Sequence, residues 1–184
     1  MIDEVMVYNK SFVEQQEYLK YRTLTKYPNK KLAVLSCMDT RLTELLPAAL
    51  GLKNGDAKII KNAGAVISHP YGSVVRSLLI AILELGVTEI MVVGHTDCGV
   101  AHIDVDNLIV KMKDRGVAED KIDMIKYSGI DFNLWLGGFE DVETSVAETV
   151  TLLKKHPLIP KDIDIRGFVI NIETGELKSI STNE

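Results

Sequence analysis

Short aliphatic runs alternating with helical periodicities constrain this chain more than any other feature. KLAVLSC (31–37) and EIMVVGH (89–95) are unbroken by polar alternation until their last residues, and AKIIK (57–61) is a third short run. Runs of this length and composition suit strands covered on both faces, as in a parallel sheet. Between them stand helix patterns. From Gly72 to Leu85, Val74, Val75, Leu78, Leu79, Ile82 and Leu83 recur at intervals of three and four, and Gly86 supplies a stop.

Further helices are predicted over Thr43–Leu50, near Asn107–Arg115, and over Val142–Lys155 with Val146, Val150 and Leu153 in register. Lys10–Tyr27 is polar and helix-permissive, with Phe12, Tyr18, Leu19 and Leu24 as anchors and Tyr27-Pro28-Asn29 as the stop. The stretch holding Ser128-Gly129 and Gly137-Gly138 reads as a connector. Two alternating runs around Glu173-Thr174-Gly175 read as a hairpin. The expected fold is α/β: a central, mostly parallel β-sheet flanked by helices, with a C-terminal hairpin. The 184 residues suit one domain, 1–184, divided into an N-terminal helical arm (1–28) and a core (30–184).

Composition narrows the function by exclusion. A hydrophobic content of 46% excludes a disordered tail, and two cysteines exclude a disulfide-stapled mini-protein. Lys+Arg of 21 against Asp+Glu of 26 gives a net charge of −5, with no basic cluster, so neither nucleic acid nor an anionic membrane is the expected partner. The acidic start MIDEV opens no secretory signal, and the run Leu78–Leu85 falls far short of the roughly 20 residues that span a bilayer. A cytoplasmic setting is expected. There, Cys37 and Cys98 are thiols or metal ligands rather than a bridge. Neither GxGxxG after the first strand nor GxxxxGK[ST] occurs, which leaves a nucleotide-binding module with little support.

The chemistry gathers at two strand ends. The first predicted strand ends in Cys37, followed by Asp39 and Arg41; the third ends in His95, followed by Cys98. Carboxyl ends of parallel strands share one edge of the sheet, so these groups can meet although 58 positions separate Cys37 from His95. Two thiolates and an imidazole form a zinc set that leaves a fourth tetrahedral position open, and soft S/N donors favour zinc over magnesium or calcium. Gly94 and Gly99 bracket the chelating pair His95-x-x-Cys98. A helix beginning near Gly99 would help to hold Cys98 as a thiolate. Plainer readings stand beside these. Cys37 is a small buried residue, His95 a hydrogen-bonded structural histidine, and Asp39 an N-cap with a surface ion pair. In the metal reading, Asp39 is either a carboxylate oriented by Arg41 or itself the fourth ligand.

The blocks Cys37-Met38-Asp39-Thr40-Arg41, Asn62-Ala63-Gly64 and His95-Thr96-Asp97-Cys98-Gly99 resemble, in order and spacing, the signatures of the β-class carbonic anhydrases; the ending RGFVINIETGEL is similar to that of short bacterial members. The resemblance implies a four-stranded parallel core and one Zn2+ per chain on Cys37, His95 and Cys98. It implies Asp39 and Arg41 as a catalytic dyad, with Asp39 on the metal only in a closed, inactive form. Zinc-bound hydroxide would hydrate CO2 to bicarbonate, in a homodimer or assembly of dimers whose partner subunit helps to complete the pocket. Relatives with the same metal set hydrolyse carbonyl sulfide or carbon disulfide, and a catalytically silent zinc-bound regulatory or binding protein is a further alternative. Val100 stands where many members carry a second glycine, and Ala65 where many carry asparagine. His69 and His102 are candidate proton shuttles or simply exposed histidines. Trp135 reads as a packing or dimer-contact residue, and His156 carries no functional argument.

Overall fold

The computed structural model describes residues 1–182. Its centre is a five-stranded sheet in the order β2-β1-β3-β4-β5. The strands are β1 (Leu32–Cys37), β2 (Ala57–Asn62), β3 (Glu89–His95), β4 (Asp164–Ile170) and β5 (Leu177–Ile180). The first four are parallel and β5 is antiparallel to β4. β1 is buried continuously from Ala33 to Cys37, and β3 is almost as deeply covered, as their unbroken apolar runs require. β2, an edge strand, is only half-buried. The chain goes from β1 to β2 on one side and crosses to β3 on the other. Such a change of direction leaves a crevice at the carboxyl ends of the strands that flank it.

Helices cover both faces. α2 (Leu42–Ala49) sets Leu42 and Leu46 into the cluster of Val34, Val93 and Ile170. α3 (Ser73–Leu83) and α7 (Val142–Lys155) bury Leu78, Val146, Val150 and Leu153 with Ala33, Ile90 and Val92 in a second cluster. Each large aliphatic side chain removed from water contributes about 1.5–3 kcal/mol before the entropy of ordering it is subtracted. α7 lies unusually close to the sheet. A Cβ on Gly167 would stand 2.6 Å from Val146 Cγ1, and one on Gly94 would stand 2.7 Å from Val142 Cγ2.

Three expectations need correction. The N-terminal helix is α1 (Ile2–Glu14), earlier than Lys10–Tyr27, and a 3-10 turn over Glu17–Tyr21 follows it. Gln16, in the left-handed region at φ 55°, breaks the helix between them. α1 buries no residue, Tyr18 and Leu19 are exposed, and Leu24 is 100% exposed, so the expected anchors do not bind this segment to the core. The connector holds two helices, α5 (Glu119–Tyr127) and α6 (Phe132–Leu136), after α4 (Val105–Asp114). α5 buries only Ile122, which meets Val105 and Phe132, and one apolar anchor makes no readable stripe. Thirdly, no helix begins at Gly99. α4 starts at Val105, where the Asp104 carboxylate accepts from Asn107 N–H. Among the described residues no helix is long and apolar enough to cross a membrane.

Candidate metal centre

Parallel pairing brings the two chemical strand ends together. Ser36 lies opposite Val93, so Cys37 and His95 finish β1 and β3 on the same edge, and Cys98 returns to it through a turn. Cys37 Sγ and Cys98 Sγ are 3.8 Å apart, and one ligand atom from each of Cys37, His95 and Cys98 lies within 4.8 Å of the others. Exposures of 3%, 1% and 9% put all three in the interior. Two sulfurs about 2.3 Å from one tetrahedral ion stand roughly 3.8 Å from each other, so the thiols are spaced for a shared zinc.

The imidazole is prepared in the same sense. His95 Nδ1 lies 2.8 Å from the carbonyl of Thr96, which can only accept, so Nδ1 carries the proton. Nε2 is left with its lone pair, buried and without a hydrogen-bond partner. An orphaned buried acceptor is costly unless something occupies it, and a backbone contact fixing the tautomer is the usual support of a metal-bound histidine. The residues therefore fit the metal.

Burial raises the Cys37 thiol, but the His95 imidazole and the N–H of Gly64, 3.4 Å from Sγ, outweigh it and bring the group down to about 7. Burial pushes Cys98 up to about 11, and the neighbouring Cys37 adds to the shift. The absent helix at Gly99 removes the dipole expected to oppose this. For His95, burial lowers the ring, but its contacts with Cys37 and the Thr96 carbonyl prevail and raise it. Gly64, at φ +84°, delivers its N–H where a Cβ would stand 3.1 Å from Phe139 and 3.3 Å from Val100. That packing is the local demand behind the glycine of the Asn62-Ala63-Gly64 block.

Asp39 stands at the rim. Its Oδ1 accepts from Arg41 backbone N–H (2.9 Å) and Nε (3.0 Å), and its Oδ2 accepts from Arg41 Nη2 (2.8 Å). These contacts hold its carboxyl well below the usual carboxylate range. Oδ2 also lies 3.8 Å from His95 Nε2. Asp39 shares no side-chain cap with α2, whose N-cap is Arg41. Asp97 lies inside the His95-Thr96-Asp97-Cys98-Gly99 block with no sequence signal of its own; its Oδ2 accepts from Arg41 Nη1 at 2.7 Å.

The other candidates lie elsewhere or act structurally. His69 is exposed and accepts from Tyr71 N–H, and His102 is exposed at φ 58°. His156 is buried and bonds the Pro70 carbonyl through Nε2 at 2.8 Å, pinning the loop before α3. Trp135 is half-exposed against Phe132 and lines a cavity of about 590 Å3. Val100 and Phe139 line the same cavity and also pack against the buried cluster that holds the two cysteines.

Comparison with known proteins agrees with this geometry. The family model described as carbonic anhydrase matches residues 32–177. A Bacillus subtilis (strain 168) protein named "Putative carbonic anhydrase YtiB" is 49% identical over 98% of this chain and 96% of its own length. The crystal structure of beta-carbonic anhydrase isoform I (TvaCA1) from Trichomonas vaginalis superposes with a TM-score of 0.89 at 34% identity, covering 100% of this chain and 99% of that one. A carbon disulfide hydrolase from Acidithiobacillus thiooxidans is 32% identical over 82% of this chain and 77% of its own. With the family match spanning all but the last residues of the sheet, and both ligand-bearing strand ends inside it, this chain belongs to the β-carbonic anhydrase family.

Proposed function

We propose that the chain is a zinc-dependent carbonate dehydratase that interconverts CO2 and bicarbonate, with one Zn2+ on Cys37, His95 and Cys98. The observation that carries this reading is the convergence of two free thiols on an imidazole whose Nε2 lone pair is buried and unpartnered. When bound, zinc lowers the pKa of its water ligand toward about 7 and so supplies a nucleophile at neutral pH.

The protein's own groups do the rest. The Thr96 carbonyl keeps the proton of His95 on Nδ1 and Nε2 free to ligate. Asp39, kept ionised by Arg41, accepts a hydrogen bond from the nucleophile and aims its remaining lone pair at the carbon of CO2. The 3.8 Å between Asp39 Oδ2 and His95 Nε2 supports that role, since it sets the carboxylate beside the open side of the ligand set. Release from Arg41 would free Asp39 to take the fourth position and close the site. Val100 and Phe139 supply apolar walls suited to a small linear molecule without charge.

The working unit we infer is a homodimer or an assembly of dimers in the cytoplasm. α1 presents Ile2, Val5, Met6 and Tyr8 to solvent and buries none of them against its own chain, which supports a second copy as their cover. The 32% identity to a carbon disulfide hydrolase favours CS2 or COS as the second reading, on the same metal set. Stopped-flow CO2 hydration on zinc-replete protein across pH 6.5–9 tests the first reading. A rate equal to buffer alone would refute it, and sulfide release from CS2 or COS under the same conditions would then favour the second.

A further inference from the structure

We propose that Asp97 is a positioning residue for the reaction: it locks the outer edge of the Arg41 guanidinium, and through it the carboxylate of Asp39. The inference rests on the reading of Asp39 as the orienting carboxylate.

Guanidinium is a planar fork with five N–H donors. One edge of Arg41, Nε and Nη2, grips Asp39 Oδ1 and Oδ2 at 3.0 and 2.8 Å. The other edge, Nη1 and Nη2, grips Asp97, the first reaching Oδ2 at 2.7 Å and the second the main-chain carbonyl at 2.8 Å. All three guanidinium nitrogens are thus engaged, and Nη2 bridges the two partners, so rotation about its C–N bond would break a contact on each side.

Asp97 is 81% exposed on its side chain, and an isolated surface pair of that kind contributes little. What sets it apart is its anchorage. The backbone of Asp97 is left-handed at φ 52°, a conformation that most residues avoid and aspartate tolerates. The turn holding it is tied to β4: Thr96 N–H donates to the Ile170 carbonyl, and Thr96 Oγ1 accepts from Ile172 N–H. Arg41 belongs to the β1–α2 connection, so without Asp97 its far edge would swing in water. With Asp97 in place, Asp39 is held between the turns that follow β1 and β3, directly beyond Cys37 and His95 at the strand ends and beside Cys98.

The test uses zinc-loaded, full-length protein and the variants Asp97→Ala and Asp97→Asn, with Arg41→Lys to assign the Arg41 side-chain resonances. In 1H–15N spectra the wild type should show separate, slowly exchanging Arg41 Nη signals. Asp97→Ala should merge them while zinc content stays at one per chain, and CO2 hydration should fall between about 10- and 100-fold, the usual cost of losing a supporting contact. Asp97→Asn, which keeps an acceptor oxygen, should restore separate signals and most of the rate. Unchanged Arg41 signals in Asp97→Ala would overturn the inference, and so would a wild-type rate in a variant whose signals have merged. A wild type silent toward CO2 refutes the proposed function instead, and the Arg41 signals still decide whether Asp97 holds the guanidinium.

Discussion

Cys37, Cys98 and His95 are each an unremarkable buried residue taken singly, and their chemistry comes from mutual distance. Cys37→Ser removes half of the soft donor pair. Metal analysis should fall from about one zinc per chain to a small fraction, and hydration should vanish with it. Asp39→Ala should keep its zinc, because the three buried ligands stay intact, yet lose about 100-fold or more in turnover. The carboxyl of Asp39 is depressed in the folded chain by Arg41, so the unfolded chain binds its proton more readily. Its contribution to stability is therefore present above the ordinary carboxylate pKa of about 3.9 and is lost as pH falls through the lower folded value. The melting temperature of wild type should exceed that of Asp39→Asn at pH 7, and the gap should narrow as pH drops below about 4.

Among the elements, α7 shows how closely helix and sheet are matched. Its periodicity was readable over its full span, Val142–Lys155, because Val146, Val150 and Leu153 all face the sheet. The sheet's side of that contact, two glycines that let the helix approach, was not readable, since a glycine in a strand carries no sign of what lies above it. Gly167→Ala should cost about 1–3 kcal/mol, because the new Cβ would stand 2.6 Å from Val146 in a packed interior. A lower urea midpoint with an unchanged slope would register that loss. α5 is not legible in the sequence for a related reason: its single anchor, Ile122, is satisfied by Val105 and Phe132 from two other helices. The expected helix at Gly99 also failed, since glycine permits a turn as readily as it precedes a helix, and Ala101 N–H closes back on the Cys98 carbonyl.

For the whole molecule, the bare apolar residues of α1 set the main expectation. In the proposed dimer, Val5→Asp together with Met6→Asp should put charge where a second copy packs. Light scattering at equal concentration should show a smaller mass for the variant than for wild type, whose mass should be at least twice that of a single chain. Equal masses for the two would remove α1 from the interface.

What the sequence determined by itself was the alternation of strand and helix and the placing of two thiols and an imidazole at or just past strand ends. Both are written locally, in apolar periodicity and in the donor atoms that stand at strand ends. Only the tertiary structure decided how those donors are readied. The Thr96 carbonyl selects the tautomer of His95, Gly64 brings its N–H to Cys37, and Asp97 reaches Arg41 across 56 positions of chain. Such contacts depend on strand register and on the path of the crossovers, and no local pattern of side chains encodes either one.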